Sequence, residues 1–262
     1  MQHKAIIIIP VYSNKISHWE ELSLRQCVTV LGRHHIVFMA PQNLDITPMQ
    51  TISGIDSIVR FDDSYFIDVA GYNRLMLSKE FYERFVDFEY MLIYQLDAYV
   101  FSDRLLEWCE RGYDYVGAPW IPEAKYFNFW RRAELIVYQN ILNAVGIYRS
   151  RSKYFSVGNG GFSLRKIASF LEVIKSDEAN IKHFLENRSY NAEDVYWGIK
   201  VNRIKHRFRI PNYKEAIDFA FENHPEQLYN YNRQRLPFGA HAWYKGYRLK
   251  FWRKFIPSPE EK

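Results

Sequence analysis

The run AIIIIPVY at Ala5–Tyr12 constrains the fold more than any other stretch of the chain. Unbroken apolar, largely β-branched residues read as a strand buried on both faces, the signature of a sheet covered by helices on either side. The theme repeats. A helical stretch from about Ser17 to Leu31 leads to a second strand at His35–Ala40, closed by Pro41, and a short third strand at Ser57–Asp63. From Gly71 to Phe85, Tyr72, Leu75, Met76, Tyr82 and Phe85 fall on one helical face. Glu89–Asp97 is a fourth strand, apolar until Gln95 and Asp97. This βαβαβ rhythm implies an α/β domain on a mainly parallel, Rossmann-like sheet, whose ligands bind at the carboxyl ends of the strands. Tyr12, Asp62, Asp63 and Asp97 stand at those ends and are expected to face one crevice.

The second half is less regular. Tyr113–Trp120 reads as a strand entering a turn, and residues 124–155 form an aromatic, basic insertion with Lys125, Arg131, Arg132, Arg149, Arg151 and Lys153 against the single acid Glu134. A glycine loop in Phe155–Lys166 enters a strand and then a helix to about Ile174, and a further helix begins near Glu193. No repeat or linker interrupts the chain. We expect one domain over residues 1–246 and a basic tail at 247–262.

Composition narrows the partners. The chain carries 20 Tyr, 19 Phe and 7 Trp, rings that either stack on sugars and bases or fill a core. A net charge of +5 suits a nucleotide diphosphate, an anionic membrane or a nucleic acid. The last is set aside, because no RNP-like motif or base-reading helix is present. Cys27 and Cys109 lack zinc-like spacing and read as reduced, structural cysteines. The run Ala5–Val11 is too short for a signal peptide, and no stretch approaches the roughly 18 apolar residues of a membrane span. The expectation is a cytoplasmic protein. Its basic, aromatic segment Trp243–Ile256 either lies on the inner face of a membrane or packs as a helix with a solvated basic face.

Four elements could carry chemistry. Asp97 ends a buried strand, where a carboxylate serves as a turn cap or needs a cation such as Mg²⁺ or Mn²⁺. Glu193 and Asp194 stand at a helix start, which favours acids and also keeps a general base ionised. Gly158–Phe162 (GNGGF) permits positive φ and close approach, yet matches no nucleotide loop. His241 is either structural or a ligand completing a site begun by Asp97, with Lys245 as a point charge for phosphate.

The ordered set LIYQLDAYVF, YDYVGAPW, GNGGFSLR, AEDVYWG and PFGAHAWYK resembles a domain-of-unknown-function family of bacterial proteins placed among the GT-A glycosyltransferases, over roughly Ala5 to Lys245. More distantly, EDVYWG resembles a segment of beta-1,3-galactosyltransferases. YNRLMLS and HAWYK are similar to segments of glycogenin-like transferases. The resemblance implies a GT-A fold and transfer from a nucleoside-diphosphate sugar to a glycan or lipid-linked acceptor, as in lipopolysaccharide or capsule assembly. It implies that Val11, Tyr12, Asn73, Arg74, Gln95, Asp97, Tyr99 and Lys245 line the donor, and that Asp97 and His241 hold a divalent metal (Mn or Mg). Gly160, Gly161 and Trp197 would face the sugars, and Asp194 would be the base of an inverting displacement with Glu193 beside it. Tyr99 replaces the second acid of the DxD motif. That leaves three outcomes: a weaker metal site, phosphate charge met by Lys245 and arginines, or a non-catalytic nucleotide- or glycan-binding module.

Overall fold

The computed structural model describes residues 3–145, 149–186, 192–204 and 207–257. Nine strands occur among them: β1 (His3–Pro10), β2 (His35–Pro41), β3 (Ile58–Phe61), β4 (Phe88–Tyr94), β5 (Tyr99–Val100), β6 (Tyr115–Gly117), β7 (Phe162–Lys166), β8 (Ala220–Phe221) and β9 (Gly239–Ala240). Six form a sheet in the order β3-β2-β1-β4-β7-β6. The first four strands of that order run parallel, and β7 is antiparallel to both β4 and β6. As the isoleucine run implies, β1 feeds two cores at once. Ile6 and Ile8 join one, and Ala5, Ile7 and Ile9 the other. Cys27 and Cys109 lie unpaired in the second core.

Chain order reverses between β1 and β4, and a crevice at a parallel sheet opens at the carboxyl ends beside such a switch. The helix His18–Leu31 leaves that edge with a reciprocal cap: Ser17 Oγ accepts from the Glu20 amide, and Glu20 Oε2 accepts from the Ser17 amide. A second, small sheet in the order β5-β9-β8 closes over the crevice.

Three expectations change. The helix drawn from Gly71 to Phe85 is two helices, Val69–Met76 and Lys79–Glu83, because Ser78 Oγ accepts from the Phe81 amide and starts a new helix. Asp62 and Asp63 do not reach the crevice. β3 is the sheet's edge strand, where Asp62 caps the Ser64 amide and Asp63 accepts from Asn43 Nδ2. The tail from residue 247 is no appendage as far as residue 257; its last five residues lie outside the described residues. Its helix Arg248–Trp252 buries Phe251 and Trp252 in a third core with Tyr99, Phe221 and Trp243, and Trp252 stacks on Phe101 at 5.1 Å. Phe251 and Trp252 therefore serve the interior, while Tyr247, Lys250, Arg253 and Lys254 are exposed. No helix among the described residues is long and apolar enough to cross a membrane.

Trp252→Ala empties a fully buried site, and truncations of this size cost about 3–5 kcal/mol. Urea unfolding should show that loss; an unchanged midpoint would remove the carboxy-terminal helix from the core.

Candidate functional site

Asp97 follows β4 by three residues, and antiparallel pairing of Tyr99 with Ala240 carries the next residue, His241, onto it. His241 Nε2 stands 3.2 Å from Asp97 Oδ1, and Lys245 Nζ lies 2.5 Å from Asp97 Oδ2. The other imidazole nitrogen, Nδ1, is 3.4 Å from Glu222 Oε1 at the end of β8. Burial opposes ionisation of Asp97, but His241 and Lys245 outweigh it and hold the carboxyl well below the usual range. Burial likewise disfavours the imidazolium, and Asp97 with Glu222 reverses this, raising His241 to about 10. The result is a compact chain of alternating charge: Lys245, Asp97, His241, Glu222.

Two hollows flank it. The larger, about 870 Å³, is lined by Asn73, Gly160, Gly161, Glu193, Asp194, Glu222 and His241, with Phe66, Tyr72, Trp120 and Tyr154 as aromatic wall. The smaller, about 190 Å³, is lined by Val11, Ser13, Lys15, Asp97, Tyr244 and Lys245. Tyr12 and Gln95 line both.

The glycine loop forms the floor of the larger hollow, for a reason other than positive φ. Asn159 takes the left-handed conformation (φ 80), and its Oδ1 accepts from the Gly161 amide. Gly160 and Gly161 are required for space. A Cβ on Gly160 would stand 2.0 Å from Glu193 Oε1, and one on Gly161 would stand 2.1 Å from His241 Nε2. The loop thus joins the two halves of the site by lacking side chains.

Glu193 and Asp194 begin the short helix Glu193–Val195, which continues as a π-helical turn, Tyr196–Lys200. Their environments differ. Glu193 accepts from the buried guanidinium of Arg165 at 2.8 Å, and its amide donates to Asn73 Oδ1. Burial raises the Glu193 carboxyl to about 7, with Arg165 opposing and Asp194 adding. Burial also raises Asp194, and Glu222 adds to that, while Lys153 and the amides of Val195 and Asn159 oppose it. Asp194 Oδ1 has no hydrogen-bond partner among the described residues.

The structure brings Val11, Tyr12, Asn73, Gln95, Asp97, Gly160, Gly161, Glu193, Asp194, His241 and Lys245 to these hollows. It excludes three expected residues. Arg74 is exposed and donates to the Ser64 carbonyl, because it stands about 100° round its helix from the buried Asn73. Tyr99 is packed between Phe101 and Trp243. Trp197 is fully buried, stacked on Phe208 with Nε1 donating to the Met76 carbonyl; Trp120 supplies the indole wall instead. Sequence reasoning missed Glu222, Arg165 and Lys153. The only available signal was period-two alternation in FSLRK, which turns Arg165 inward beside Ser163.

A family model described as a protein of unknown function, DUF5672, matches residues 56–241. The chain belongs to the DUF5672 family. No curated protein matches it in sequence. This DUF5672 chain is similar in fold to the galactosyltransferase LgtC, solved with donor and acceptor sugar analogues (TM-score 0.54, 13% identity, 98% of each chain covered). It is also similar to mouse xyloside xylosyltransferase 1 (TM-score 0.56, 8% identity, 99% of this chain and 100% of that one). A third likeness is to a glycosyltransferase involved in glycosylating the major capsid of PBCV-1 (TM-score 0.50, 10% identity, 94% and 96% covered). At these identities the likeness establishes the GT-A fold of this DUF5672 protein.

Arg165→Met leaves the Glu193 carboxylate buried without its partner, which costs about 3–5 kcal/mol. Adding Glu193→Gln should restore most of that stability in thermal and urea unfolding. Equal stability of Arg165→Met and the wild type would show that the pair carries no structural role.

Proposed function

We propose that this DUF5672 protein is a glycosyltransferase that moves a sugar from a nucleoside-diphosphate donor to an acceptor hydroxyl. The observation that carries the reading is the division of one crevice. Lys245 and His241 stand around Asp97 on one side, and Asp194, with its free oxygen, lines the large hollow on the other. The smaller hollow suits the nucleoside, with Val11, Tyr12 and Gln95 as its walls. The larger one suits the two sugars, with Trp120 and Tyr154 as stacking faces.

The donor set fits a divalent cation in part. Asp97 Oδ1 and His241 Nε2 are buried, lack hydrogen-bond partners among the described residues, and face each other at 3.2 Å. Two cis ligands of one octahedral Mg²⁺ lie about 3 Å apart. Among the described residues no group of three or more His, Cys, Asp or Glu side chains is arranged as a metal cage, so a cation held by this pair needs diphosphate or water oxygens as well. Bound there, it would neutralise charge on the diphosphate. Lys245 does the same as a fixed cation near the leaving group, and a charge that builds only in the transition state is stabilised more there than in the ground state.

Asp194 acts as the base. Its carboxylate takes the acceptor hydroxyl's proton as the oxygen bonds to the anomeric carbon from the face opposite the diphosphate. The bond to the diphosphate breaks with its electron pair leaving on phosphate oxygen, and the anomeric configuration inverts. Glu193, held by Arg165 and Asn73, positions the loop and Asp194. A second reading, a non-catalytic nucleotide- or glycan-binding module, is favoured by one observation, the buried Tyr99 at the second DxD position.

Asp194→Asn should lower turnover by about 10²–10⁴-fold and leave nucleoside-diphosphate binding unchanged, followed by diphosphate release and calorimetry. A fully active Asn variant would end the assignment. Because the base must be ionised and burial raises Asp194 above its ordinary 3.8, the rate should fall as pH drops through a value above that figure. A binding module would bind nucleotide at every pH and turn over none.

A further inference from the structure

The Phe129–Ala144 helix presents its apolar residues to solvent. Among its described side chains only Leu135 is fully buried, and the inward side is completed by Arg132, Tyr138, Gln139 and Leu142. Arg132 lies over the Phe155 ring at 3.5 Å, and Gln139 Nε2 donates to the Arg151 and Tyr154 carbonyls, so polar groups anchor the helix to the domain. The outer side is largely apolar, interrupted by the exposed Arg131, Glu134 and Asn140. Phe129 is 73% and Trp130 77% exposed, and Ile136, Val137, Ile141 and Val145 are exposed with them. Contiguous exposed apolar surface of this kind marks an interaction face rather than a solvated one.

Charge identifies the occupant. Residues 124–155 hold six cations and one acid, a net +5 equal to that of the whole chain, so the rest of the molecule balances at 29 cations and 29 acids. Lys125, Arg131, Arg149 and Arg151 are all exposed; Arg131 stands on the helix itself, and the segment of Arg149 and Arg151 packs against its inward side through Gln139. Lys125 and Arg131 make exposed pairs with Glu123 and Glu134, and such pairs are screened and weak. Two copies docked through this face about a two-fold axis would bring like charge against like. A surface that is both apolar and cationic, with Trp and Phe at one end, matches the headgroup region of an anionic bilayer.

We propose that the outer face of the Phe129–Ala144 helix docks on an anionic lipid bilayer. The helix lies in the interface plane with Trp130, Val137 and Ile141 towards the acyl chains and the Arg131–Glu134 pair at headgroup level. The carboxyl end of the same insertion forms part of the wall of the large hollow. Lys153 and Tyr154 line it, and the Phe155 amide donates to the carbonyl of Trp120, which lines it from just before the insertion. Docking therefore holds the hollow close to the membrane, where it would receive a lipid-linked acceptor. That last step rests on the glycosyl-transfer reading; the membrane contact does not.

Co-sedimentation with vesicles of phosphatidylcholine and phosphatidylglycerol in equal parts, and with phosphatidylcholine alone, tests the contact. The wild type should pellet with the anionic vesicles and not the neutral ones. Trp130→Glu/Val137→Glu/Ile141→Glu should lose about tenfold or more in partitioning, with an unchanged near-ultraviolet circular dichroism spectrum, because all three side chains are on the surface. Lys250→Glu/Arg253→Glu, in the carboxy-terminal helix, should bind as the wild type does. A wild type that stays in the supernatant would overturn the proposal. So would a triple variant that still pellets, or a dimer in sedimentation equilibrium that the triple variant dissociates without any vesicle binding by the wild type. Nucleoside-diphosphate binding measured on the same preparations reports separately on the transferase reading.

Discussion

The short antiparallel pairing of β5 with β9 is the contact on which the crevice depends. It joins a residue two positions after Asp97 to the residue immediately before His241, across more than half of the chain. Without it, Asp97 would be a buried carboxylate at a strand end, a costly arrangement in the absence of a cation. With it, Asp97, His241, Glu222 and Lys245 form one alternating network, and each charge is desolvated only beside its opposite. Trp243 follows in the same segment, and its Nε1 donates to Ser23 Oγ while its ring meets Tyr99 and Trp19. The aromatic third core therefore holds the site in place as well as closing the domain.

Two adjacent acids acquire separate roles from their surroundings. Glu193 is locked by Arg165, which is itself held by Tyr82 Oη and Ser163 Oγ, whereas Asp194 lines the hollow and keeps one buried oxygen, Oδ1, without a hydrogen-bond partner among the described residues. In the proposed function this division gives Glu193 a positioning role and Asp194 a chemical one, while burial raises both carboxyl groups. Gly160 and Gly161 bring the division about, since neither Glu193 nor His241 could approach a loop carrying side chains there.

Elements governed by local periodicity were legible in the sequence. The isoleucine strand, the Ser17-capped helix and the strand at Phe162–Lys166 follow from apolar period and capping chemistry alone. The break at Ser78 was not, because the apolar face of Tyr72 to Phe85 continues through it and only the serine's own cap interrupts the backbone. Among candidate site residues, the ordered motifs named Asp97, Gly160, Gly161, Asp194 and His241, and the fold brings all five to the two hollows. Trp197 and Tyr99 were misplaced because an aromatic ring next to an acid reads the same whether it faces a ligand or the core. Glu222 left no trace, since its role arises from β8 pairing with β9. The basic aromatic tail and the basic aromatic insertion also look alike in composition. Packing turns Phe251 and Trp252 of the first inward and Phe129 and Trp130 of the second outward.

The account is tested most directly by calorimetric titration of nucleoside diphosphates into the wild type and into His241→Ala/Lys245→Ala. It predicts one-to-one binding by the wild type, weakened by about tenfold or more in the double variant because the Lys245 charge and the imidazole beside Asp97 are gone. Equal affinity in the two proteins, or no binding by the wild type of any nucleoside diphosphate, would contradict it.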